Sequence, residues 1–197
     1  MIFNIRGSFG AGKSYLVREL LSRHPNIPMS NPIDGKLEAY GIPLKSNLFV
    51  IGSYEGSTTV TGADYIRSMV ISERLIREYY KLGHVLIEGA IMSGLYTRFL
   101  NLSRELGKGE YVWLLLDTPM EECLVRIRDR RSRSKNRNRP LDTEGFNTYW
   151  RRTHSQMNKL KEMGEETYLL NWQSPYEDLL NLFVEKGVID VSTGSPS

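Results

Sequence analysis

The stretch Ile2-Phe-Asn-Ile-Arg-Gly7-Ser-Phe-Gly-Ala-Gly-Lys13-Ser14 decides the fold. Ile2 to Ile5 is a short apolar strand, and Leu16, Val17, Leu20 and Leu21 then recur at the spacing of a helix from Ser14 to Arg23. Between them sits Gly-x-x-x-x-Gly-Lys-Ser, the P-loop pattern. Gly7, Gly10 and Gly12 allow backbone N–H groups to turn inward around phosphate oxygens, and Ser8, Phe9 and Ala11 complete the loop. Lys13 is expected on the β and γ phosphates and Ser14 on Mg²⁺. Tyr15 follows in the first turn of a helix whose partially positive end faces the same anion. Strand, loop and helix together predict a site for ATP with Mg²⁺; the reaction it serves is left open, because switches, motors and kinases all use such a loop.

Outward from this loop, strands and helices alternate. Pro25, Pro28, Pro32 and Pro43 punctuate a stretch that reads as irregular, until Leu48 to Ile51 forms a compact β-type run ended by Gly52. Ala63 to Leu82 has the length and spacing of a helix closed by Gly83, and His84 to Ile87 is a strand that delivers Glu88. A helix over Ser93 to Leu106 precedes Tyr111 to Leu116, a continuous apolar run of the kind buried on both faces of a parallel sheet, which delivers Asp117. Pro119 opens a helix that dissolves near Ser132. Thr143 to Met163 is a helix, Thr167 to Leu170 a strand and Pro175 to Lys186 a last helix. The order predicts an α/β, three-layer, doubly wound parallel sheet of the P-loop type, with ligands at the carboxyl ends of the strands. One domain is expected over residues 1–190, with a lid at about 131–141 and a disordered tail at 191–197.

Composition narrows the class. The chain has 197 residues, 40% of them hydrophobic, enough for one core. Lys and Arg total 26 against 23 Asp and Glu, so the formal charge of +3 does not by itself argue for nucleic acid. Cys123 is the single cysteine, has no internal partner and lies on an amphipathic helix as a buried thiol. No run approaches the roughly 18 apolar residues that span a bilayer, and no leader pattern precedes the first strand. The expectation is a cytoplasmic protein with no membrane partner; oligomeric state is not legible.

No guanine-reading Asn-Lys-x-Asp segment is visible, which favours small kinases. Leu115 to Arg131 resembles the strand and pre-lid helix of nucleoside monophosphate, shikimate and polynucleotide kinases. That resemblance implies a lid whose arginines neutralise charge during transfer and exclude water. Arg126 and Arg130, one turn apart on the helix, are the leading phosphate contacts, and Arg131, Arg133, Lys135, Arg137 and Arg139 fit the lid. On composition alone the same run reads as a solvated basic loop, but eight basic residues opposed only by Asp129 repel one another unless an anion is near. Arg139-Pro140-Leu141 resembles the lid exit of shikimate-type kinases.

On the acceptor side, a hydroxyl needs a carboxylate to take its proton and orient it toward the γ phosphate. Asp64, in Gly62-Ala-Asp-Tyr-Ile-Arg67, is the candidate base, with Arg67 on the same face. Helix N-capping fits Asp64 equally well. This Asp-x-x-Arg resembles that of phage polynucleotide kinase, which implies an acceptor phosphate on Arg67. Asp34 is a weaker rival because Asp-Gly first signals a turn. Glu88, at a buried strand's end, is placed to hold Mg²⁺ with Ser14 and to border the acceptor. Asp117 reads either as a second acid or as a cap for the helix of Pro119. Trp172, after the last strand, lines an adenine pocket or packs structurally.

Phe49-Val-Ile-Gly52-Ser-Tyr54-Glu55, Thr61-Gly-Ala-Asp-Tyr-Ile66, Leu86-Ile-Glu-Gly89 and Leu116-Asp-Thr-Pro119 together resemble bacteriophage P-loop kinases acting on 5-hydroxymethyluracil in DNA. The likeness covers Met1 to about Met163, and the family's Gly-Cys-Asp core stands here as Gly62-Ala63-Asp64. It implies phosphorylation of the base's hydroxymethyl group in the polymer, in the host cytoplasm, during thymidine hypermodification. It also implies a DNA partner, with Tyr54, Tyr65 and Tyr96 available to stack a base swung out of the duplex, or else to pack. Kinases of free nucleosides, nucleotides or metabolites, polynucleotide 5′-hydroxyl kinases and an ATP-driven binding switch are the competing expectations.

Overall fold

The computed structural model describes residues 1–55, 61–66, 68–89, 95–133 and 140–190. The strands are β1 (Ile2–Arg6), β2 (Ile27–Ser30), β3 (Leu37–Ile42), β4 (Leu48–Ile51), β5 (His84–Glu88), β6 (Tyr111–Asp117) and β7 (Glu166–Asn171). The helices are α1 (Lys13–Arg23), α2 (Met69–Tyr80), α3 (Tyr96–Leu106), α4 (Met120–Ser132), α5 (Thr143–Glu162) and α6 (Pro175–Glu185). One sheet has the order β2-β3-β4-β5-β1-β6-β7. From β4 to β7 every neighbouring pair is parallel, as the alternating sequence predicts.

Successive residues of β1 and β6 point to opposite faces, so each strand feeds two cores. Phe3, Ile5, Val112, Leu114 and Leu116 pack with Leu16, Val17 and Leu20 of α1, Ile127 of α4 and Phe183 of α6. Ile2, Trp113 and Leu115 pack with Leu75 and Ile76 of α2, Phe99 of α3 and Leu160 of α5. Helices on both faces make the expected three layers. Cys123 is buried in the first core, as expected of a structural thiol.

Two local expectations are corrected. The proline-punctuated stretch is not irregular: it forms β2 and β3, which add to β4 as an antiparallel ladder with Pro28 opposite Tyr40 and Gly41 opposite Phe49. The helix expected from Ala63 begins only at Met69, where Ser68 caps it by accepting from the Ile71 N–H at 3.3 Å. Ala63–Ile66 is instead a single 3₁₀ turn. Ser93, the 134–139 part of the lid with Lys135, Arg137 and Arg139, the 191–197 tail and Arg67 lie outside the described residues.

Candidate active site

The carboxyl ends of β1, β4, β5 and β6 meet around the P-loop, because a parallel sheet sends every one of them to the same edge. Gly12 sits at the N-terminus of α1 with φ 103°, the left-handed region that glycine tolerates, and this turns the loop into the helix. Lys13 is buried, and its ammonium donates to the carbonyls of Gly7 (2.8 Å) and Ser8 (3.1 Å). Burial pushes the Lys13 pKa down, opposed by the charges of Glu88 and Asp64. Thr118 Oγ1 donates to the Ala11 carbonyl at 2.8 Å and pins the loop to the end of β6.

Ser14 Oγ donates to Glu88 Oε1 at 2.8 Å, and Thr61 Oγ1 donates to Ser14 Oγ at 2.9 Å. Glu88 is buried at the end of β5, and desolvation holds its carboxyl above the usual range despite Lys13 nearby. A buried carboxylate in contact with a hydroxyl is a donor set suited to a hard divalent cation, whose charge would offset that desolvation. The two residues proposed for Mg²⁺ from sequence are therefore in contact. Thr61 is a third polar group that sequence reasoning did not single out.

Gly62 brings the segment of the candidate base to this point. Its φ is 66°, and a Cβ there would lie 2.3 Å from Glu88 Oε1. Only glycine lets the Gly62-Ala63-Asp64 segment press onto Glu88. Asp64 stands two residues beyond that contact, and its charge reaches Lys13, Glu88, Tyr54 and Tyr149. Asp64 does not cap α2, since Ser68 does. Asp34 is exposed and paired with Lys36 in a turn, far from any such role.

On the other side of the loop, Ala11, Tyr15, Glu19, Leu116, Arg126, Trp172, Gln173 and Tyr176 are among the residues lining a cavity of about 490 Å³. Arg126 donates to the Ala11 carbonyl at 3.1 Å and to Glu122 at 2.8 Å, and its guanidinium lies 5.4 Å from the centre of the Trp172 ring. Arg126 and Trp172 thus share one wall. Arg130, the other leading arginine, is exposed on the last turns of α4, and Arg131 donates to the Pro140 carbonyl at 3.2 Å.

Three expectations are revised by burial and contact. Tyr54 is 6% exposed, beside Glu88, and is too enclosed to stack a base. Tyr96 donates to Met163 Sδ at 3.9 Å, tied to the end of α5, while Tyr65 is 37% exposed on the 3₁₀ turn. Asp117 does not cap α4: its Oδ1 is 3.0 Å from His154 Nε2, and that ring stacks on Trp150 with centroids 3.7 Å apart. Phe9 of the P-loop, 44% exposed, meets Tyr149 of α5 with ring centroids 4.9 Å apart.

The model of the family described as 5-hmdU DNA kinase matches residues 1–166. The chain belongs to the 5-hmdU DNA kinase family. A 5-hmdU DNA kinase of Pseudomonas phage M6 is 27% identical over 189 residues, covering 89% of this chain and 94% of that protein. Another, of Pseudomonas phage PaMx11, is 33% identical over 147 residues, 71% of this chain and 73% of that one. Among solved structures, a deoxyadenosine kinase from M. mycoides aligns over 94% of this chain and 98% of its own at 14% identity, with a TM-score of 0.49. Membership makes the chain a nucleotide-dependent phosphotransferase, and the described residues include no helix long and apolar enough to cross a membrane.

Proposed function

We propose that this kinase moves the γ-phosphoryl group of ATP to the 5-hydroxymethyl oxygen of 5-hydroxymethyluracil within DNA. The observation that carries the reading is the packing of Gly62 on Glu88, which sets Asp64 beside the phosphate end of the P-loop. A base at that point faces an acceptor, whereas a binding switch needs none. The names of the phage relatives supply the acceptor class.

In this mechanism Asp64 takes the proton as the hydroxymethyl oxygen forms its bond to the γ phosphorus. The bond from that phosphorus to the β–γ bridging oxygen breaks, and ADP leaves with the electron pair. Lys13 and the P-loop N–H groups stabilise charge on the β and γ oxygens throughout. Ser14 and Glu88 would hold Mg²⁺, which when bound supplies further neutralisation of the triphosphate. Arg126 and Trp172 orient the donor's base and sugar side. Arg130 closes from α4, and Arg67, which follows Asp64 in sequence, contacts acceptor phosphate.

The test is label transfer from γ-labelled ATP to 5-hydroxymethyluracil DNA, ordinary DNA, free nucleosides and nucleotides in parallel. Label confined to hydroxymethyluracil DNA is expected. Label only in free nucleosides or nucleotides sinks the reading, and label at the ends of ordinary DNA makes the protein a polynucleotide kinase.

A further inference from the structure

Burial removes Tyr54 as a surface on which a base could stack, yet a planar pyrimidine presented from a DNA strand needs an aromatic platform. Phe9 and Tyr149 supply it. Phe9 is the exposed side chain of the P-loop itself, and its ring meets the Tyr149 ring at an interplanar angle of 35°. Neither ring lines the cavity shared by Arg126 and Trp172, so the pair stands apart from the Trp172 side of the loop, and the charges of Arg6, Asp64 and Arg152 all reach Tyr149.

A further feature favours a polymer over a free base. Arg152 follows Tyr149 by one turn of α5 and is exposed, a cation at the rim of the platform. Behind it, Arg6 at the end of β1 is fully buried, donates to Gln156 Oε1 at 2.7 Å and lies 5.3 Å from the Trp113 ring centre. Arg6 and Gln156 thereby fix α5 against β1, and so fix Tyr149 relative to the loop that carries Phe9.

We propose that the acceptor base stacks on the Phe9–Tyr149 pair with its 5-substituent toward Asp64, while Arg152 receives a phosphate of the strand that carries it. This deepens the kinase reading above and rests on it. It makes Tyr149 a residue for substrate choice and Phe9 a residue shared between the two substrates.

The experiment measures KM for single-stranded 5-hydroxymethyluracil DNA and for ATP in the wild type, Tyr149→Phe, Tyr149→Leu and Arg152→Gln. Tyr149→Leu is expected to raise the DNA KM about tenfold, equal to ~1.4 kcal/mol, within the range of base stacking on an aromatic ring. The ATP KM should stay within about twofold, and Tyr149→Phe should behave as wild type. Arg152→Gln should flatten the salt dependence of the DNA KM, since one phosphate contact fewer releases fewer counterions. An unchanged DNA KM in Tyr149→Leu overturns the platform while leaving the kinase reading intact; a wild type that binds ATP but labels no hydroxymethyluracil DNA overturns the reading itself. Should Tyr149→Leu fail to fold, irradiation of wild type with an oligonucleotide carrying 5-iodouracil gives the same decision. Crosslinks at Phe9 or Tyr149 support the platform, and crosslinks confined to Tyr65 or Tyr96, or none at all, overturn it.

Discussion

On the donor side of the P-loop, one wall is made by the loop, α4 and the segment after β7, held by short contacts such as Arg126 to Ala11. On the acceptor side, Asp64 arrives from a 3₁₀ turn after β4 and Tyr149 from the first half of α5. The donor wall recognises a cofactor common to many kinases, so loop and helix ends suffice. The proposed acceptor wall would have to recognise one hydroxyl, and its segments are distant in sequence, one set by Gly62 against Glu88 and the other by the buried Arg6–Gln156 contact. The difference predicts that variants on the two sides will separate in kinetics.

Asp64→Asn should produce the largest separation. Transfer to hydroxymethyluracil DNA is expected to fall about 10²–10⁴-fold, the range of general-base catalysis, while ATP binding measured by calorimetry changes little. Equal losses in both would show that the two sides are not distinct. Lys13→Met should lower transfer by about 10²–10³-fold and weaken ATP binding as well, because Lys13 belongs to the donor. Trp172→Ala should raise only the ATP KM, by roughly three- to tenfold, from ~0.5–1.5 kcal/mol of aromatic contact. A matching rise in the DNA KM would place Trp172 elsewhere.

The smallest effect concerns stability. Desolvation raises Glu88 above its ordinary value of 4.5, so the fold favours its protonated form. The stability tied to that group is present below about pH 4.5 and is lost as pH rises through the raised value. Glu88→Gln should therefore remove this falling limb and raise unfolding stability at neutral pH by about 0.5–2 kcal/mol, a melting shift of a few degrees. Magnesium-dependent transfer should collapse in the same variant. A lower melting temperature would mean that the contact with Ser14 outweighs the burial of the charge.

What could be read from sequence follows the same division. β1, the P-loop and α1 are consecutive, and every group that matters there is specified within a dozen residues. Glu88 and Asp117 were legible as strand-end acids because apolar runs announce where a parallel strand stops. The antiparallel strands β2 and β3 were not, since their residues are partly exposed, Pro28 interrupts β2, and Pro25, Pro32 and Pro43 flank the two strands, which hides a strand's pattern. The break before Met69 was missed because apolar spacing continues across the 3₁₀ turn. Tyr54 and Phe9 exchanged expectations for a simpler reason: nothing in a single sequence tells which of two aromatics near strand ends is enclosed by its neighbours.

The prolines that obscured β2 also decide how this sheet meets other molecules. β2 is one rim of the sheet, and Ile27 on it is 64% exposed. An apolar rim strand is a template on which a second chain can add, the first step toward clumping in a crowded solution. Pro28, at the middle of that strand, has no N–H to offer an incoming chain, and the irregular register between Met29 and Ser30 bends what is left. The segment that looked least structured in the sequence thus carries a built-in obstacle to strand addition at this rim.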